Sequence, residues 1–153
     1  MSVKIDILNE QNSLRVNSKR IEKLIQSVLK GEKAKQRSVT LLVCGDAKMK
    51  VLNKQYFGKK TSTDVIAFGV EADYIAPGEE DYLGDIVVSA DMAISTAPKY
   101  KTQPQREFER YIVHGLLHLL GYNDVEPADY KKMHSVQEVY LDRFITASSK
   151  GLS

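Results

Sequence analysis

The chain has 153 residues, 42% hydrophobic and 27% charged. That composition suits one globular domain and excludes the low-hydrophobicity, high-charge signature of disorder. A net charge of +2 is too small to single out nucleic acid as a partner, and no run approaches the roughly 18 apolar residues of a membrane span. The opening MSVKIDILNE carries Lys4 and Asp6 and no apolar stretch of signal-peptide length, so a cytoplasmic protein is expected. A lone cysteine, Cys44 in VTLLVCGD, excludes an internal disulfide, and its apolar neighbours predict an inert buried thiol.

VKIDIL alternates apolar and polar residues and predicts a first strand. Ser18 is expected to cap a helix running to Lys30, with Ile21, Leu24, Ile25 and Val28 on one face and Gly31 ending it. SVTLLVC is a β-branched and aliphatic run that predicts a central strand, after which Asp46 is expected to cap a helix to Tyr56. TDVIAFGV and GDIVVSA predict two more strands, separated by the acidic EADYIAPGEEDYL with a Pro77–Gly78 turn. Asp91 is expected to begin a helix that stops before Pro98. Thr102 and Pro104 fit the cap and first turn of a helix through Leu120, with Gly121 as its left-handed stop. A last helix should run from Glu126 to Ala147. The sum is an α+β fold in a single domain spanning 1–153, a mixed sheet of about four strands packed by about five helices.

Charge is unevenly spread. Residues 48–60 hold Lys48, Lys50, Lys54, Lys59 and Lys60 and no acid, whereas residues 71–85 hold Glu71, Asp73, Glu79, Glu80, Asp81 and Asp85 and no base. The first segment is a candidate positive patch and equally a solvated helix face.

The stretch VHGLLHLLGYND carries the chemistry. On a helix, residues four apart project from one face, so His114 and His118 can converge on one point. Phe108, Tyr111, Ile112, Val113, Leu116, Leu117, Leu119 and Leu120 surround them, which predicts a central helix. Gly115 in its interior costs roughly 1 kcal/mol relative to alanine, so a close approach of something to the backbone is expected there. Gly121 lets the chain reverse and bring Asp124 towards the pair. Two imidazoles and a carboxylate are competent ligands for a divalent metal, zinc above others, and three protein ligands leave a fourth position for water. The plainer alternative is two core histidines bonded to carbonyls.

These residues resemble the YbeY family of bacterial metal-dependent endoribonucleases, whose hallmark is H-G-x-L-H-L-x-G-Y-D-H. HGLLHLLGYND matches it in all but the last two places. LNKQYFGKKTSTDVIAF is similar to the family's L-N-x-x-Y-R-G-x-x-x-x-T-D-V-L-S-F, and LGDIVVS to L-G-D-I-x-I-S. The resemblance implies a single-strand-specific endoribonuclease acting in rRNA maturation at the small-subunit 3′ end and in ribosome quality control. It implies RNA within the small ribosomal subunit as partner, with ribosomal proteins or assembly GTPases as further candidates and no membrane. His114, His118 and Asp124 would be metal ligands, Lys54, Lys59 and Lys60 RNA contacts, and no catalytic group is assigned beyond water on the metal.

Two departures bear on mechanism: Asp124 stands where the family has a third histidine, and Phe57 where it has an arginine before Gly58. The alternatives are a non-catalytic ribosome-assembly factor with a weakened metal site and, less favoured, a metalloprotease. Zinc proteases with this ligand spacing place a glutamate after the first histidine, and Gly115 occupies that position. His134 is expected at a solvated or core-edge helix position rather than as a substitute ligand.

Overall fold

The computed structural model describes residues 4–69, 78 and 81–149. In chain order the elements are β1 (Lys4–Asn9), α1 (Ser18–Gly31), β2 (Ser38–Cys44), α2 (Asp46–Phe57), β3 (Val65–Gly69), β4 (Tyr82–Ser89), α3 (Ala90–Thr96), a short 3-10 helix (Ala97–Tyr100), α4 (Pro104–Leu119) and α5 (Pro127–Ser149). The predicted four-stranded mixed sheet and five α-helices are all present. Val3, Val70 and most of the acidic segment, Pro77 included, lie outside the described residues.

The strands are ordered β1-β2-β4-β3, with β1, β2 and β4 parallel and β3 antiparallel to β4. The uninterrupted apolar run of β2 follows from its place between two neighbours, where both faces are covered. The alternating β1 lies at the edge. On one face of the sheet Cys44, Met49, Ile66 and Val87 form a small cluster involving α2. The main core includes residues of α1, α3, α4 and α5. Helix α4 lies against β3 and β4 and also touches α1, α3 and α5, so it is the central helix that its apolar circumference predicts.

Gly115 explains how α4 sits so close. A Cβ at that position would come within 2.9 Å of Ile86 Cγ2 and 3.0 Å of Val65 Cγ2. The helix backbone therefore rests almost on the sheet side chains.

The predicted helix starts differ from the observed caps by one or two residues. Asn17, not Ser18, caps α1, accepting the Arg20 amide at 3.2 Å. Asp46 is the first residue of α2 rather than its cap, because its carboxylate accepts the hydroxyls of Ser62 and Ser89, both at 2.9 Å. Asp91 lies inside α3, which Ser89 caps, and its carboxylate reaches across to accept the Asp46 amide at 2.8 Å. Thr102 donates its hydroxyl to Glu107 at 2.7 Å, so the cap of α4 falls on Gln103.

Two carboxylates of α4 are buried among the apolar residues. Glu109, 1% exposed, accepts Arg20 of α1 at 2.6 and 3.1 Å and Gln105 at 2.8 Å, and the Arg20 guanidinium lies 4.9 Å from the centre of the Phe144 ring. This bonded pair ties α1 to α4. Removing one partner strands a buried charge, which typically costs about 3–5 kcal/mol, reduced here because Arg20 is partly exposed. Arg20→Met is expected to lower stability by about 2–3 kcal/mol in chemical denaturation, and Arg20→Met with Glu109→Leu to recover most of that loss. A double variant as unstable as the single one would contradict this account.

Candidate metal centre

The last two turns of α4 and the reversal after it build the site. Helix α4 ends at Leu119, and Gly121, at φ +103°, takes the left-handed step that turns the chain back. The amides of Gly121 and Tyr122 bond the carbonyls of His118 and Leu117, both at 3.0 Å, and the Tyr122 hydroxyl donates to Glu32 at 2.7 Å. The turn is thus fixed at both ends. Asn123 accepts the Val125 amide at 2.8 Å, and Asp124 is delivered to the open side of the histidine pair, as its spacing predicts.

His114 Nε2 lies 3.1 Å from His118 Nε2. Asp124 Oδ2 lies 3.5 Å from the first and 3.3 Å from the second. The other ring nitrogens are engaged: His114 Nδ1 is 2.8 Å from Gln137 Oε1 and His118 Nδ1 is 3.2 Å from the Tyr122 carbonyl. Both partners are acceptors, so each Nδ1 carries the proton and each Nε2 presents a lone pair. Three acceptor atoms therefore converge with no donor among them, an arrangement that a cation relieves. A tetrahedral ion with bonds of about 2.0–2.2 Å separates its ligand atoms by roughly 3.3–3.6 Å; the two separations to Asp124 fall in that range, and the one between the imidazoles, 3.1 Å, is slightly shorter. These atoms form the one His/Cys/Asp/Glu group of metal-binding geometry among the described residues.

Burial lowers the His114 pKa, against the opposing effect of its bond to Gln137, which favours the neutral imidazole a metal needs. Gln137, 3% exposed, extends the chain of contacts: its amide donates to Glu138 at 3.0 Å. Glu138 accepts both arms of Arg110 at 2.9 Å, and Arg110 also bonds Glu107. Burial alone would raise the Glu138 carboxyl, but the bonds from Arg110 and Gln137 and the charges of Arg110 and His134 outweigh it and hold it at about 2. None of this support is assigned by the motif. The signal was present in α5, where Gln137 falls between Met133 and Leu141 at intervals of four on the buried face. An amide in such a stripe needs a partner.

The site opens into a cleft of about 930 Å³, walled by Ser62, Thr63 and Asp64 before β3, by Arg110 and Tyr111 of α4, and by α5. Thr63 and Asp64 belong to the block LNKQYFGKKTSTDVIAF, whose Asn53 pins the loop by donating to the Thr61 carbonyl at 2.8 Å.

The family model for endoribonuclease YbeY matches residues 6–145. The endoribonuclease YbeY of Bacillus velezensis is 34% identical over 94% of this chain and 97% of its own length, and that of Petrotoga mobilis is 34% identical over 94% and 96%. The chain belongs to the YbeY family. A solution structure from Thermotoga maritima, 24% identical, superposes over 96% of this chain and 93% of the other with a TM-score of 0.64, which shows the shared fold.

Set against the YbeY pattern, the three ligand candidates come together and the three lysines do not join them. Lys54, Lys59 and Lys60 are exposed and do not line the cleft, although the loop that carries Lys59 and Lys60 runs on into its wall at Ser62. Lys48 pairs with Glu10 at 2.6 Å. Phe57, where the YbeY pattern has arginine, is 53% exposed and stacks on Phe68. His134 is exposed, stacked on Tyr130, and is not a ligand candidate. Cys44 is buried, with its thiol pushed up to about 11 chiefly by burial, as an inert thiol should be.

Two outcomes follow from the support around His114. Gln137→Leu removes the acceptor that fixes the ring and should weaken divalent-metal affinity by about 10–100-fold, read by competitive chelator titration. Glu138, held below its ordinary 4.5 in the folded chain, contributes stability that is complete above about pH 4.5 and lost as pH falls towards about 2. Glu138→Gln should therefore flatten the decline of the melting temperature across that interval.

Proposed function

We propose that the protein is a metal-dependent, single-strand-specific endoribonuclease, with His114, His118 and Asp124 as the ligands of one divalent ion, zinc in the first instance. The observation that carries this reading is the convergence of two imidazole nitrogens and a carboxylate oxygen within 3.1–3.5 Å in a chain of a family named for endoribonuclease activity. The donor set of two imidazoles and a carboxylate also suits iron, nickel or manganese. Bound there, the ion supplies Lewis acidity towards a phosphodiester oxygen and makes water nucleophilic near neutral pH.

The protein's own part is to orient and to exclude. Gln137 and the Tyr122 carbonyl hold both imidazoles in the tautomer that presents Nε2. Arg110, which carries the positive charge nearest these groups in the cleft wall, is committed to Glu138 and Glu107, so it serves the scaffold. Lys54, Lys59 and Lys60 are assigned to the RNA backbone, supported by their exposure and by the absence of any ion pair to them among the described residues. The substrate class is rRNA of the small subunit, and the compartment is the cytoplasm; among the described residues no helix is long and apolar enough to cross a membrane.

The protease alternative fares worse with the geometry than with the sequence. Position 115, where a zinc protease carries its general base, faces Ile86 and Val65 of the sheet. A carboxylate there would meet the core and not the cleft.

Metal-loaded protein should cleave a single-stranded RNA and leave casein intact, and both chelator and His118→Ala should reduce cleavage to background with loss of the bound metal. Asp124→His exchanges an anionic ligand for a neutral one, so the ion's charge acts more fully on water. That variant should bind zinc more tightly and cleave several-fold faster near neutral pH. Cleavage that survives both chelator and His118→Ala would refute the assignment.

A further inference from the structure

The cleft carries a second feature that the ligand set does not use. Tyr100 and Tyr130 are 69% and 53% exposed, and among the described exposed large hydrophobic side chains they are the two that line the cleft. Single exposed rings are ordinary on a surface; these two are set apart by lining the same cleft as His114 and Asp124. They come from different elements: Tyr100 ends the 3-10 helix after α3, and Tyr130 lies in the first turns of α5. Both α3 and α5 pack on α4, whose residues form the floor between them. The Tyr130 ring is extended by His134, stacked on it at 5.8 Å with the planes 13° apart.

Each tyrosine is embedded in the same local pattern. Lys99 and Lys101 flank Tyr100, and Lys131 and Lys132 follow Tyr130. All four lysines are exposed, and none forms an ion pair among the described residues. The cleft wall itself is acidic, with Asp64, Glu107 and Glu138 beside Asp124. Besides the Lys54–Lys60 segment, uncommitted positive charge thus also stands next to the two exposed rings.

We infer that these rims, 99–101 and 130–131, clasp an unpaired RNA strand on either side of the candidate metal centre, with bases stacking on Tyr100 and Tyr130 and phosphates meeting Lys99, Lys101 and Lys131. Aromatic rings interleaved with lysines are the chemistry of single-strand binding, since every unstacked base offers a face to a ring and its phosphate a charge to a lysine. In a duplex the base faces are occupied by their neighbours, so the clasp discriminates single strands from paired ones. Between the rims the strand would cross the floor of α4 at His114. The inference rests on the endoribonuclease reading and names the residues that select its substrate.

The test uses metal-loaded protein and a single-stranded RNA bearing a fluorescent purine analogue, with the binding phase read by rapid mixing before cleavage. Wild type should quench the analogue on binding. Tyr100→Ala and Tyr130→Ala should each weaken affinity by roughly tenfold to a hundredfold and reduce the quench. Their effect should appear in KM with kcat little changed, and Tyr130→Phe should restore both signals. The slope of log affinity against log salt should be unaltered in the tyrosine variants and fall by about 0.7 per lysine in Lys101→Ala/Lys131→Ala. Affinity for the same sequence in a duplex should not respond to either tyrosine. Unchanged single-strand affinity and quench in both alanine variants, with wild type still cleaving RNA, would overturn the clasp alone. A wild type that neither binds nor cleaves RNA would overturn the endoribonuclease reading beneath it.

Discussion

The site depends on how closely α4 can approach the sheet. With successive residues turned by about 100° along a helix, His114 and His118 lie roughly 100° and 60° to the same side of Gly115. Because Gly115 is pressed against Ile86 and Val65, that azimuth is not free. The two imidazoles must emerge at the flank of the helix, where α5 and the turn after α4 can reach them. A bulkier residue at 115 would lift or roll the helix and move both Nε2 atoms together. The glycine's unfavourable helix propensity is offset by the packing of Phe108, Ile112, Leu116 and Leu117, all fully buried.

A second constraint is the number of charges that this buried helix carries. Glu107 and Glu109 are enclosed, and each is satisfied by an arginine, Arg110 and Arg20 respectively. The consequence reaches the candidate ligand His114 through Arg110, which holds Glu138, which accepts the amide of Gln137, which in turn fixes the His114 ring. Preorganisation of the ligand is thereby linked to the packing of α4 on α5. Replacing the family's third histidine by Asp124 alters the charge of the ligand set and leaves this support untouched.

Much of this was legible in the sequence, and the failures share a cause. The apolar circumference of α4, the interval of four between the histidines, and Gly121 followed by Asp124 are local signals that survive folding because nothing else competes for those residues. The caps were misplaced where several capping residues stand together. At Asn17 and Ser18 the choice is made by the Arg20 amide three residues on, and around Asp46 and Asp91 by hydroxyls and an amide brought from elsewhere in the chain. The strand order β1-β2-β4-β3 places β4 beside β2 across an intervening strand, which periodicity alone does not encode. Gln137 was missed because one amide in a stripe at intervals of four reads as a tolerated substitution until its partner is known. The exposed tyrosines were missed because burial is not written in residue type: Tyr111 of the same cleft is 6% exposed.

The distribution of charge around the cleft limits how a polyanion could enter it. The wall offers carboxylates at Asp64, Glu107, Asp124 and Glu138 against Arg110 alone, whose guanidinium is already bonded to two of them. A phosphodiester drawn into that space without a cation would face repulsion in a partly desolvated setting, where charge interactions are several times stronger than in bulk water. A divalent ion at the three converging acceptors changes the local sign at one point, beside His114, and nowhere else along the wall. The metal would therefore fix where on the strand a phosphate can rest as well as what happens to it. Attraction over longer range would have to come from exposed lysines outside the cleft. With an ion held at His114, His118 and Asp124, register along the strand would come from the ion and encounter rate from the exposed lysines.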